Sequence, residues 1–375
     1  MRFEVFGDPR TLESIRPQWD VLASRVGSPY CSPMWMLAWW RHVPLADTQP
    51  RFVAAFDDER LVGLAPFVAA HEGRGFWTYR LLGAPTSLRI EPLVDEGRER
   101  EFAQGVAAHL ARLRPFPAMI RLEGIGSDSL WPQALQEQWP GPKRPTVHRV
   151  NSMTAPHVTV SGSYEDWFAA RTRNFRQQMR RTQRQLAAEG GVIRRARSVD
   201  DIGRAVRELR RLHDNRWATR GGSAVMSSRV ENMLLDLAHA SDGTARHNLR
   251  IWTIEVGGHV ISSQLFLSSG GEVAYWLGGF DNAWGAYRPS IVTILRAIEE
   301  AFERGDRRVD LGGGSQSYKM RFADGEDVLE WWAIVPPGRT SPAARAALAV
   351  DEGRKTVAAK LPPDIKRRIK QLIGR

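Results

Sequence analysis

Hydrophobic and polar residues alternate along this chain in two matching series. In the first half, Arg51–Phe56 reads as a strand, Asp-Asp-Glu-Arg as a turn, Leu61–Ala69 as a second strand and Phe76–Leu82 as a third. In the second half, Leu249–Val256 is strand-like, Gly257-Gly258 is a hairpin turn, and His259–Leu267 and Val273–Phe280 follow as strands. Each meander leads into a helical pattern, Arg98–Leu113 in the first half and Ile291–Arg304 in the second. In the latter, Ile291, Ile294, Leu295, Ile298 and Phe302 share one face at helical spacing. Each helix then leads to a short strand ending in glycine, Met119–Glu123 before Gly-Ile-Gly and Arg308–Leu311 before Gly-Gly-Gly. Helical segments also precede the meanders, at Leu12–Ser24 and at Val199–Arg216 and Arg229–Ala240. The two series are offset by roughly 190 residues, which predicts a domain duplication and not a solenoid. The expected unit is a mixed α/β (α+β) layer, giving two mixed, mainly antiparallel sheets flanked by helices. Residues 1–150 form the first domain, 151–338 the second, and 339–375 a basic helical tail.

Composition narrows the setting. At 375 residues and 42% hydrophobic content, the chain can bury a sizeable core. Lys and Arg number 53 against 42 for Asp and Glu, a net charge of +11, which favours anionic partners. The single cysteine, Cys31, excludes an internal disulfide and most cysteine-based metal sites, and no metal is expected. The opening residues MRFEVFGDPR lack an apolar signal core, and WMLAWW at 35–40 is too short to span a bilayer. These features point to a cytoplasmic protein.

The chemistry concentrates in Gly278–Phe322, which reads as a strand ending in an acid, a loop, an amphipathic helix, a short strand and a glycine-rich turn carrying Tyr318 and Lys319. A helix N-terminus facing strand ends seats phosphate, because its backbone N–H groups are unpaired and its dipole is positive there. Arg288, Pro289, Ser290 and Ile291 occupy that terminus; proline at the first helical position wastes no donor. The corresponding helix of the first half opens with Glu96, Glu99 and Glu101, whose charge repels a pyrophosphate. The first half therefore reads as a degenerate scaffold.

The order of elements resembles the GNAT acyltransferase fold used twice. The second copy is similar to the CelD/BcsL-type (BioF-like) branch of GNAT acetyltransferases, and more distantly to FemABX peptidyltransferases. The resemblance rests on Ser32-Pro33 through Trp39-Trp40, Arg171–Arg181, Arg216-Trp217 with Gly221-Gly222, Tyr275–Asp281, Pro289-Ser290, the Gly305–Gly314 stretch and Tyr318-Lys319. Together these cover most of residues 30–325. The widespread GNAT phosphate loop, Gln/Arg-x-x-Gly-x-Gly/Ala, is absent, since Asn282–Arg288 (NAWGAYR) carries one glycine among bulky neighbours.

The resemblance implies acetyl-CoA or another acyl-CoA as donor, and a small-molecule, saccharide or cell-envelope precursor as acceptor, in exopolysaccharide or cellulose biosynthesis. It implies donor contacts from Gly279 and Arg288–Ile291, and carbonyl polarisation by a backbone N–H of the Tyr275–Gly279 strand. Asp281 is the expected base or acceptor-orienting acid, against a turn-capping role. Lys319 is expected to neutralise a phosphate or developing charge. Arg173, Arg176, His213, Trp217, Gln264, Tyr275, Trp276 and Tyr318 are the expected acceptor-side residues. Arg173, Arg176, Arg180 and Arg184 recur at helical spacing, a face suited to an anionic acceptor or to solvent. In the tail, Ile365, Ile369, Leu372 and Ile373 oppose Lys366, Arg367, Arg368 and Lys370, a pattern suited to packing on the body or to an anionic membrane surface at the inner face. Two alternatives to an acyl-CoA enzyme stay open: a FemABX-like transferase using aminoacyl-tRNA, and a non-enzymatic basic module that binds nucleic acid.

Overall fold

The computed structural model describes residues 1–43, 47–71, 75–218, 223, 225–240 and 247–360. In chain order the first elements are β1 (Arg2–Phe6), α1 (Pro9–Val26), α2 (Pro33–His42), β2 (Gln49–Asp57), β3 (Arg60–Ala70), β4 (Thr78–Leu81) and β5 (Leu93–Val94). There follow α3 (Glu99–Leu110), β6 (Met119–Gly126), α4 (Trp131–Glu137), β7 (Thr146–Thr159), α5 (Tyr164–Ala169), α6 (Arg173–Ala188), β8 (Val192–Arg195), α7 (Val199–Ala218) and α8 (Ser228–Ala240). The last are β9 (His247–Val256), β10 (His259–Ser269), β11 (Glu272–Phe280), α9 (Pro289–Arg304), β12 (Arg308–Asp310), α10 (Ser317–Met320), β13 (Gly325–Val335) and α11 (Ser341–Lys360).

These elements form two compact units. The first takes Met1–Val26, Pro44–Ser152 and Leu329–Arg375; the second takes Gly27–Val43 and Met153–Val328. This division differs from a simple cut near residue 150 at two places. Residues 27–43 belong to the second unit, where the Trp35 indole meets Trp276 edge-on at 5.6 Å. Residues from Leu329 onward, with α11, belong to the first.

Within each unit the strands pair in the same order. In the first, β1, β2, β3 and β4 are successively antiparallel, β4 pairs β6 in parallel, and β6 pairs β13 antiparallel. In the second, β8, β9, β10 and β11 are successively antiparallel, β11 pairs β12 in parallel, and β12 pairs β7 antiparallel. The predicted meander, helix and parallel strand are thus present twice. The strand that closes the first unit, β13, follows the second unit's strands in the sequence, which a cut of the chain into consecutive halves misses; β7, which closes the second unit, stands just before that unit's other strands.

Local chemistry explains the second unit's frame. Gly257-Gly258 and Gly270-Gly271 all have positive φ, which two-residue hairpins require and glycine supplies without a Cβ clash. The β10 strand is buried from Val260 to Ser269, so both its faces are covered. One face meets α7, where the Ser263 hydroxyl donates to the Ala205 carbonyl at 3.1 Å. The other meets α9, which starts with Pro289, stops at Gly305 in the left-handed region, and buries Val292, Ile294, Leu295, Ala297, Ile298 and Ala301. Among the described residues no helix is long and apolar enough to cross a membrane. The amphipathic pattern at 365–373 and Gly221-Gly222 lie outside the described residues.

Because Ile298 is wholly enclosed in the α9 interface, Ile298→Ala leaves a cavity and lowers stability by about 2–5 kcal/mol in urea unfolding.

Candidate active site

The parallel pairing of β11 with β12 ends at Ala274 and Asp310. Beyond it the glycine turn crosses beside β11, close enough that a Cβ on Gly312 would lie 3.1 Å from the Tyr275 carbonyl oxygen. Gly312 also has φ +76°, so glycine suits the position twice over. Its N–H donates to Asp310 Oδ1 at 2.6 Å, which fixes the turn. The same turn holds Lys319. The Lys319 ammonium donates to the carbonyls of Gly312 at 3.3 Å and Gly313 at 2.9 Å and lies 6.0 Å from the centre of the Tyr275 ring. Lys319 is only 5% exposed, and this burial pushes it down to about 8, with Asp310 acting against the shift.

Opposite the lysine, a buried polar network is centred on Gln264 of β10, which has no exposed surface. Its Oε1 accepts from the Tyr275 hydroxyl at 2.9 Å. Its Nε2 faces Ser290 Oγ at 2.9 Å, Ser262 Oγ at 3.1 Å and the Gly279 carbonyl at 3.1 Å. Ser262 Oγ in turn lies 3.1 Å from Thr293 Oγ1, which donates to the Pro289 carbonyl at 2.8 Å. Burial pushes the Tyr275 and Tyr318 hydroxyls up, opposed in both by Arg216. Tyr275 and Gln264, expected on the acceptor side, and Ser290, expected on the donor side, are thus joined in one network, and Tyr318 stands near them. Ser262 and Thr293 were not foreseen; two serines and a glutamine inside an otherwise apolar run, ISSQLFL, were the available signal.

The two glycines of β11 serve packing on opposite faces. A Cβ on Gly278 would collide with the Gln264 carboxamide and the Tyr275 hydroxyl. A Cβ on Gly279 would lie 2.8 Å from Leu212 Cβ and 3.0 Å from the His213 backbone nitrogen. Gly279 thus admits α7 against the sheet, while its carbonyl serves the Gln264 network. Between Tyr275 and Leu277 the register with β10 skips Trp276, a β-bulge that re-aims the strand at the site.

The start of α9 is less open than its sequence suggests. Arg288 occupies the left-handed region (φ 47°, ψ 49°), uncommon for a residue with a side chain, and its carbonyl accepts the N–H groups of Ile291 at 3.0 Å and Val292 at 3.3 Å. Pro289 has no N–H. Of the first turn, Ser290 alone keeps a donor outside the helix's own ladder. Positive charge is nonetheless gathered here. Arg321 is held below the usual guanidinium range by burial and then by Arg288, its guanidinium 4.8 Å from the Phe175 ring centre. Arg216 sits 5.1 Å over Phe280. Arg321 also escaped sequence reading, since one arginine in YKMRF has no distinguishing pattern.

Asp281 Oδ1 accepts from the Ala283 N–H at 3.0 Å and caps the single turn Asn282–Tyr287. His213 is 2% exposed, and burial pushes its imidazole below the usual range; its ring centre is 6.2 Å from that of Trp217. On α6, Arg173 is exposed and Arg176 half-buried, and among the described residues neither hydrogen-bonds to the Gln264 network. Phe175 of the same helix stands edge-on to Phe322 at 5.3 Å, so α6 is anchored beside the lysine turn.

Residues 173–320, which contain the Gln264 network, the start of α9 and Lys319, match the family described as Acetyltransferase (GNAT) domain. By that match the protein is an acyltransferase. No curated protein matches the chain in sequence. Among solved structures it is similar to FemX, with a TM-score of 0.66 and 10% identity over 93% of this chain and 100% of that one. It is similar to a conserved protein of unknown function from Bacteroides thetaiotaomicron, with a TM-score of 0.57 and 11% identity over 90% and 100% of the two chains. It is also similar to the C-terminal DUF2156 domain of an Agrobacterium fabrum protein named as a lysylphosphatidylglycerol synthetase, with a TM-score of 0.56 and 12% identity over 91% and 96%. At these identities the likeness is one of fold.

The lowered Lys319 value has a consequence for stability. The fold disfavours the ammonium, so the penalty is complete below about pH 8 and vanishes above the ordinary lysine value of 10.5. Relative to Lys319→Met, the native protein gains about 2–3 kcal/mol as pH rises through this window, read from denaturant unfolding at pH 7 and pH 10.5.

Proposed function

We propose that the second unit transfers an acyl group from acyl-CoA to an amino or hydroxyl group of a small-molecule, saccharide or cell-envelope precursor. The observation that carries this reading is the setting of Lys319 beside Tyr275, at the point where β11 and β12 part. A neutral lysine amine has two hydrogens, and two carbonyls, those of Gly312 and Gly313, are in place to take them. The remaining lone pair is then free to accept the proton of the attacking amine or hydroxyl. With its value lowered to about 8, the amine is neutral in a useful fraction near neutrality. Transfer forms one C–N or C–O bond and breaks the thioester C–S bond. The proton removed by Lys319 Nζ is available to the departing sulfur.

The donor's anionic groups fit the start of α9. Arg288, Arg321 and Arg216 supply charge, and Ser290 supplies hydrogen bonds. In this reading Asp281 holds the turn before α9, and Tyr318 and Trp217 border the acceptor. Arg173 and Arg176 extend the basic surface toward an anionic acceptor. A peripheral contact of the basic tail with an anionic membrane belongs to the same proposal.

A second reading, with aminoacyl-tRNA as donor, draws support from the FemX likeness over 93% of the chain and from the basic face of α6. Thermal shift with acetyl-CoA, free CoA and tRNA separates the two through linkage. The true donor, at a hundred times its dissociation constant, stabilises by about 2.7 kcal/mol. Stabilisation by tRNA with no response to CoA overturns the acyl-CoA reading.

For catalysis, Lys319→Met lowers kcat by about 10²–10⁴-fold and removes a rise in rate centred near pH 8. Asp281→Asn keeps a capping side chain and loses less than about tenfold. Equal losses in both variants in a steady-state assay would move the base from Lys319 to Asp281.

A further inference from the structure

The hydrogen atoms of the Gln264 network can be assigned by counting. The Gly279 carbonyl accepts only, so the Gln264 atom 3.1 Å from it is the nitrogen, and the carboxamide has one allowed orientation. Its oxygen therefore faces Tyr275, whose single hydroxyl hydrogen is committed to it. The phenolic oxygen then shows only lone pairs to the site. On the other side, Thr293 uses its hydrogen on the Pro289 carbonyl, so Ser262 must donate to Thr293, and Ser262 can only accept from Gln264. Three oxygens surround the two hydrogens of Nε2, and the closest is Ser290 Oγ at 2.9 Å.

An amide nitrogen does not accept. The Ser290 hydroxyl hydrogen therefore cannot point at Gln264. Among the described residues Ser290 Oγ has no other partner, and the side chain is half-buried at the mouth of the site. Its proton points outward, at the terminus where Pro289 lacks an N–H and those of Ile291 and Val292 are already bonded to Arg288.

We propose that Gln264 is a positioning residue that turns the Ser290 hydroxyl outward as a preset donor to a phosphate oxygen of the acyl donor. This side-chain donor takes the place of the backbone N–H groups that a glycine-rich loop would offer. The proposal rests on the acyl-CoA reading and adds to it which protein atoms meet the phosphate. A hydroxyl already oriented by a buried partner loses less freedom on binding than a free rotor does. The same network gives Tyr275 the opposite polarity, an acceptor for a hydrogen of the incoming nucleophile.

The test is calorimetric titration of the full chain with free CoA, which reads binding without turnover. Ser290→Ala is expected to weaken CoA about tenfold, as for loss of a hydrogen bond to a charged group. Ser290→Thr, which keeps the hydroxyl, restores most of the affinity. Gln264→Met weakens CoA by a similar factor in the native background and by less than about twofold in the Ser290→Ala background, because its effect passes through the hydroxyl. Equal weakening by Gln264→Met in both backgrounds overturns the positioning role. Should Gln264→Met fail to fold, the serine pair still decides: unchanged CoA affinity in Ser290→Ala, or no recovery in Ser290→Thr, overturns the proposal. A native chain that binds no CoA at all instead overturns the donor reading on which the proposal stands.

Discussion

A carboxamide with no exposed surface must find partners for all its hydrogens and lone pairs, and in the second unit that requirement falls on Gln264. Meeting it binds β10 to β11 through Tyr275 and the Gly279 carbonyl, and to α9 through Ser290 and the Ser262–Thr293 link. It also demands glycine at 278, where any side chain would occupy the space of the carboxamide. The network is a registry device. It fixes how far α9 slides along the sheet, and with it where the helix start, the tyrosine and the lysine turn come together.

The duplication sets the frame in which this happens. Each unit repeats a meander, a helix and a parallel strand; the first is closed by β13 from the other half of the sequence, the second by β7 from just before its own meander. The copies differ at the start of the helix that follows each meander. The first opens its helix α3 with Glu99 and Glu101. The second opens α9 with Pro289 and Ser290 beside Arg288, and holds the ammonium of Lys319, on α10, against the glycine turn. A shared architecture therefore carries one helix start flanked by arginine and one with glutamates in its first turn.

Lys319 shows how backbone geometry tunes a side chain. Three glycines let the turn run close to β11, and the turn's carbonyls then point at the amine. Burial lowers its proton affinity by more than the charge of Asp310 raises it. The stability lost by enclosing the ammonium accompanies an amine able to take a proton near neutrality, a trade common at sites of proton transfer.

How much of this was legible in the sequence follows the range of the interactions. Strand alternation, the Gly-Gly hairpins, the apolar face of α9 and the punctuation by Pro289 and Gly305 are local, so the repeated order of elements could be read directly. The same local reading brought Gln264, Tyr275, Ser290 and Lys319 into one neighbourhood, because they lie on adjacent strands and the helix that follows. Other features depend on partners distant in the chain. The membership of residues 27–43 in the second unit, the closing of the first unit by β13, the packing of Gly279 on α7 and the burial of His213 have no periodic signature. The sequence left Asp281 open between a base and a cap, and the fold gives it a capping hydrogen bond from the Ala283 N–H. By itself the sequence determined the repeat and the residues near the site, since periodicity and turn chemistry are written in neighbouring positions. The tertiary structure decided which hydrogens point outward and which amine is buried, since solvation and hydrogen-bond direction depend on atoms that meet only once the chain has folded.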